Sequence, residues 1–221
     1  MTDTPVPAAE PSPSAPPRLS PPPEPFERAE IDRALVVPFH LLEVVLAGRA
    51  RLTANVAQRR HLGRLVIVLL IGSILFAIPY GLVRDSSRFL DVATLFVGTM
   101  GICLPSLIVF SAYLGAAIDF RQNFVLALVI TTTAALFSFG FFPIVWFLDQ
   151  TMGASNGKIT TGHLSIVLLT LSLLAGVAQQ HRCLFADKLM KDLQSNSVVL
   201  FVWQVLFVFM TYRMAQLLGI L

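Results

Sequence analysis

The sequence predicts an all-α membrane protein: a bundle of about five transmembrane helices, preceded by an amphipathic helical segment and a disordered proline-rich tail. Three observations lead there. Hydrophobic residues make up 55% of the chain and charged ones only 13%, well below the roughly one quarter charged in soluble domains. Mean hydropathy is +0.74, and nearly half of the 221 residues fall in apolar runs matched to a hydrocarbon core about 30 Å thick. The arginines gather beside the first such run, so the net charge of +3 reads as membrane topology rather than a nucleic-acid footprint.

Residues 1–26 hold ten of the fourteen prolines, interspersed with Ser, Ala and Glu. Such a composition cannot bury a core and favours extended polyproline II, so the tail is expected to be disordered. Pro13 to Arg18 fits the P-x-x-P-x-R pattern of ligands for Src-homology-3-type grooves. A bland spacer is the competing reading, because a tail this rich in proline generates the pattern by chance. The opening residues lack the basic and apolar regions of a cleaved signal peptide.

Residues 27–64 change to helical periodicity. Leu35, Phe39, Leu42, Val45, Leu46, Leu52 and Val56 share one broad face, and His40, Glu43, Arg51 and Gln58 share the other. Pro38 and Gly48 should break or weaken the helix, so two shorter helices are as good a reading as one. Arg51, Arg59, Arg60 and Arg64, with Arg49, suit the headgroup layer of an anionic cytoplasmic leaflet. Packing of the apolar face on the chain's own spans is the alternative.

Five apolar runs follow, near Leu65–Val83, Val92–Leu114, Asn123–Leu148, Leu164–Ala178 and Ser197–Leu218. The fourth is short for a full crossing, which leaves a tilted or re-entrant segment open. Arg121, Arg182, Lys188 and Lys191 join the juxtamembrane arginines on one side, against Arg84, Arg88 and Lys158 on the other. That asymmetry places the N-terminus in the cytoplasm and, after five crossings, Leu221 outside. Arg213, inside the last run, should snorkel to the outer interface or face the bundle.

Packing signals are generic. Ser111 with Gly115, Ala112 with Ala116, and Ser172 with Gly176 are small-xxx-small pairs that let helices approach closely. Pro79, Pro105 and Pro143 lie in the first three runs, where each removes a helical hydrogen bond. Such kinks also line transport paths, although membrane helices commonly tolerate proline without one.

A search for chemistry yields little. Asp and Glu are absent from the depths of the apolar runs, so an ion-coupled carrier would lack its usual carboxylate. His40, His61, His163 and His181 have no second histidine at the i+3 or i+4 spacing of a zinc-protease helix, which argues against a metal site. No G-x-S-x-G nucleophile elbow and no phosphate-binding loop occurs. Cys103 sits mid-run and Cys183 in a connection, an implausible disulfide pair. The expectation is a protein that is not an enzyme and needs no cofactor.

One stretch exceeds composition. Ile102-Cys-Leu-Pro-Ser-Leu-Ile-Val-Phe110, then Leu114-Gly115 and Asp119-Phe-Arg-Gln122, resembles a run in bacterial polytopic proteins similar to the Yip (Ypt-interacting protein) family. The likeness extends loosely from Arg59 to the C-terminus. It implies five spans, a cytoplasmic N-terminus and placement in the bacterial cytoplasmic membrane. Eukaryotic members of the family partner Rab-type GTPases in vesicle traffic. Some bacterial members carry an actin-binding label, but no such motif occurs here, and the label is not carried over.

The physical reading of the same stretch nominates Pro105, Ser106, Gly115, Phe120, Arg121 and Gln122 as a candidate partner surface. Its Phe-Arg-Gln turn places a guanidinium and an amide where headgroups or a partner's carboxylate can meet them. A topological anchor is the blander reading. Two function classes stand: a non-catalytic membrane scaffold or assembly factor, and a transport-related protein, for which Thr131, Thr132 and Thr133 offer hydroxyls within a span. Expected partners are the lipid bilayer and either another protein or a second copy of the chain, with no nucleic acid.

Overall fold

A computed structural model describes residues 24–84, 89–113, 118–152, 157–185 and 197–220. The tail with its P-x-x-P-x-R pattern, up to residue 23, and Gly115 of the candidate surface lie outside the described residues. Every described regular element is helical: α1 (Arg28–Val36), α2 (His40–Leu42) continuing as a π-turn (Glu43–Ala47), α3 (Arg49–Ala57), α4 (Leu62–Arg84), α5 (Asp91–Tyr113), α6 (Phe120–Met152), α7 (Gly157–Phe185) and α8 (Ser197–Leu217).

Four helices are long and apolar enough to cross a membrane, those of Leu62–Val83, Asp91–Tyr113, Phe120–Leu148 and Leu200–Leu217. This is a multi-pass arrangement. In α6, 72% of the most apolar window is buried, against 33% in α8; α6 is therefore the axis of the bundle. The helices α4, α5 and α7 pack around it, and α8 packs on α5.

The Ser172–Gly176 pair makes the α6–α7 contact. Ser172 meets Ser138 at 3.3 Å, and a Cβ on Gly176 would lie 2.5 Å from the Ile130 carbonyl oxygen. Helix α7 continues well past the expected end at Ala178. Gln179, Gln180 and His181 look polar in sequence, but each hydrogen-bonds within the fold. Gln179 Nε2 donates to the Val45 carbonyl at 2.6 Å, Gln180 Nε2 donates to that of Leu126 at 3.3 Å, and His181 Nε2 lies 2.7 Å from Gln204 Oε1.

The segment before α4 is a hairpin rather than one amphipathic helix. Pro38 and Gly48 divide it. Proline cannot continue α1, and a Cβ on Gly48 would lie 2.3 Å from the Phe26 ring. The arm α1 rises along α4, and α2, the π-turn and α3 return. The face that the period assigns to a headgroup layer is divided: Val45, Leu52 and Val56 are buried against protein, together with Ile31, Leu41 and Val44 from outside that face, whereas Leu35, Phe39 and Leu46 are exposed. The backbone then reverses into α4 through Arg59 and His61, both at positive φ (56° and 54°).

Candidate functional site

The end of the bundle where α4 and α6 begin is basic, and three of the four nominated juxtamembrane arginines find carboxylates within the chain. Arg51 pairs with Glu30 at 2.6 Å and lies over the Phe26 ring, 4.2 Å from its centroid. Arg59 pairs with Asp119 at 3.1 Å, and Arg64 pairs with Asp32. Arg60 is exposed. As an anionic-lipid surface the set is thus weaker than its sequence suggests, because paired guanidinium groups have less charge to offer. The pairing also lowers the Glu30 carboxyl below its ordinary value, first through the hydrogen bond from the Glu27 N–H and then through Arg51.

Phe120, Arg121 and Gln122 form the first helical turn of α6 rather than a loop between two spans, and that turn is built on Gln122. Its Oε1 accepts from the Asp119 N–H at 2.8 Å, the reach-back half of a capping box at the start of α6. Its Nε2 donates to the Val56 carbonyl at 2.7 Å, near the end of α3. One buried amide thereby joins the turn to the hairpin. Asn123 anchors the other side by donating to Ser111 Oγ on α5 at 2.9 Å. On this fixed base Phe120, 58% exposed, and Arg121, also exposed, project outward. Phe120 stacks on Phe124 with centroids 5.9 Å apart. Gln122 is thus structural, whereas Phe120 and Arg121 remain available at the surface.

Pro105 and Ser106 lie elsewhere, in the body of α5. Ser106 Oγ donates to the Cys103 carbonyl at 2.7 Å and accepts from Trp203 Nε1 of α8 at 3.1 Å. Trp203 Nε1 also reaches the Cys103 carbonyl at 3.2 Å. The Leu-Pro-Ser element is therefore the seat for α8, separate from the turn. Cys103 and Cys183 are both buried free thiols.

Sequence reading missed a buried amide seam. Gln204 Nε2 donates to Gln180 Oε1 at 2.8 Å, so Gln180, His181 and Gln204 tie α6, α7 and α8 together, as polar groups do where lipid supplies no hydrophobic drive. The available signal was the Gln-Gln-His run and Gln204 within the apolar first half of α8. Beside the seam, α7 and α8 enclose a groove of about 510 Å³ lined mainly by apolar side chains such as Leu173, Phe201 and Phe209, with Gln204 and Tyr212 among its few polar ones. Among the described residues no three His, Cys, Asp or Glu side chains gather as a metal site. No protein-family model, curated protein or solved structure matches the chain.

Proposed function

We propose that the chain is a non-catalytic membrane scaffold or assembly factor, with five spans and a cytoplasmic N-terminus, that binds a protein partner at the first turn of α6. The observation that carries this reading is the pairing of a rigid base with exposed tips. Gln122 and Asn123 lock the turn to α3 and α5, while Phe120 and Arg121 stand exposed on it. An aromatic and a guanidinium held in a fixed geometry are the residue types that dominate binding energy at protein interfaces. The Yip-like resemblance of the surrounding stretch agrees with a partner-binding role.

The test is co-purification in mild detergent followed by mass spectrometry. Arg121→Lys keeps the charge but loses the planar fork. It should leave abundance and topology unchanged and reduce the yield of a co-purifying partner, as should Phe120→Ala. Unchanged recovery with both variants would reduce Arg121 to an orientation signal. A transport-related role is the second reading, favoured by the groove between α7 and α8 and by the buried Thr133 hydroxyl, which has no partner among the described residues. Solute flux in reconstituted vesicles that is lost on Thr133→Val would favour it instead.

A further inference from the structure

The hairpin of α1, α2 and α3 reaches a depth that its own composition does not announce. Its base lies at the basic end, where Asp32 meets Arg64 and Thr53 Oγ1 donates to the Cys183 carbonyl at 3.0 Å. Its turn lies far from there. Leu41 fills the notch at Gly72, where an added Cβ would come within 2.7 Å of the leucine side chain. Phe39 packs edge-on against Phe139 at 6.5 Å, and Phe139 packs on Phe76 at 5.3 Å. At 1.5 Å per residue, Gly72 is about 12 Å beyond Arg64 along α4 and Phe76 about 18 Å. With a hydrocarbon core about 30 Å thick, these contacts lie near its middle.

We propose that residues 24–57 form a re-entrant hairpin inserted into one leaflet, with the acyl chains of that leaflet covering its turn. The nine residues of α1 are too few to cross a bilayer; from Asp32 at the base to Val36 the helix rises about 6 Å, and the turn after it carries Leu41 to the level of Gly72, about 12 Å beyond Arg64. The turn is apolar and uncovered by protein: Val36 is 81% exposed and Phe39 64%, with Leu35 and Val37 also exposed. This surface lies level with the lipid-facing Ile71, Ile74 and Leu75 of α4, all exposed, so the two form one apolar belt.

The turn keeps most of its backbone N–H groups bonded, as hydrocarbon favours, the exception being the N–H of Phe39, which has no partner among the described residues. Pro38 has no N–H, and the N–H groups of His40, Leu41 and Leu42 donate to the carbonyls of Val37, Pro38 and Phe39 at 2.9, 3.1 and 3.1 Å. The two ionisable groups nearest the turn on the returning arm are paired, His40 Nδ1 with Glu43 Oε2 at 2.9 Å, with the Glu43 side chain still 61% exposed; the pairing lowers the cost of bringing a carboxylate toward a low-dielectric layer.

Depth-dependent fluorescence quenching tests this on the full chain in vesicles of neutral and anionic phospholipid, with both native cysteines replaced by alanine. A small fluorophore is attached to Val36→Cys, to Ile74→Cys as a lipid-facing reference, and to His61→Cys at the base. Val36 and Ile74 should both be quenched by a nitroxide placed midway along the acyl chain, and His61 by one at the headgroup or by aqueous iodide. Quenching of Val36 by iodide would overturn the assignment. So would protection from every quencher, which would mean that a second protein chain covers the turn.

Discussion

At the residue scale the informative side chains are those that sequence left without partners. The arginines at the basic end are legible as a cluster, but their carboxylates, Glu30, Asp32 and Asp119, come from other elements 21 to 60 positions away. No local pattern announces such pairs. The Glu30–Arg51 pair makes a pH prediction. Because the folded carboxyl titrates below its ordinary value, its contribution is present at neutral pH and is lost as pH falls through the lowered value. Glu30→Gln should therefore lower the melting temperature in detergent at pH 7 and converge with the parent on acidification. Both side chains are more than a third exposed, so solvent screening holds the difference below about 1 kcal/mol. The His40–Glu43 pair reads out its own environment. In water, a close pair on a helix couples by about 0.3–0.5 kcal/mol. In a low-dielectric layer, a double-mutant cycle of His40→Ala and Glu43→Gln should give a coupling above about 1 kcal/mol. A value in the aqueous range would place the pair in water.

At the scale of elements, four apolar runs were legible because length and hydropathy alone decide whether a helix can cross a bilayer. The reach of α7 and the form of the N-terminal segment were not. An amide that hydrogen-bonds inside a bundle looks the same in sequence as one that faces water, and a wide apolar face does not say whether lipid or protein will cover it. Small residues carry part of the missing information. Gly176→Ala sets a new Cβ against the backbone of α6, which cannot move aside as a side chain would, and should destabilise the protein by about 1–3 kcal/mol. Gly140→Ala, in the same bundle but with open space at its Cβ, should be close to neutral. Thermal unfolding of the two variants in one detergent compares them directly. Trp203→Phe should loosen the seat of α8 by roughly 1 kcal/mol, the contribution of the hydrogen bonds to Ser106 and Cys103.

At the scale of the whole molecule the question is how many times the chain crosses. Four helices are long and apolar enough to cross; a fifth crossing depends on α7. Three contacts fix its register on α6: Gln180 with Leu126, Gly176 with Ile130, and Ser172 with Ser138. Rising numbers on α6 meet falling numbers on α7, so the two helices are antiparallel. The 29 residues of α7, about 44 Å of helix, run back beside a helix that itself crosses. A helix in that position returns the chain to the basic end, and α8 then leaves from there. On the proposed five-span arrangement the two termini would lie on opposite sides, with the arginine-rich end in the cytoplasm under the positive-inside rule. A reporter active only in the cytoplasm should then work after Met1 and within residues 186–196 and fail after Leu221. Activity at both termini would require an even number of crossings, and α7 would then lie along α6 without passing through the membrane.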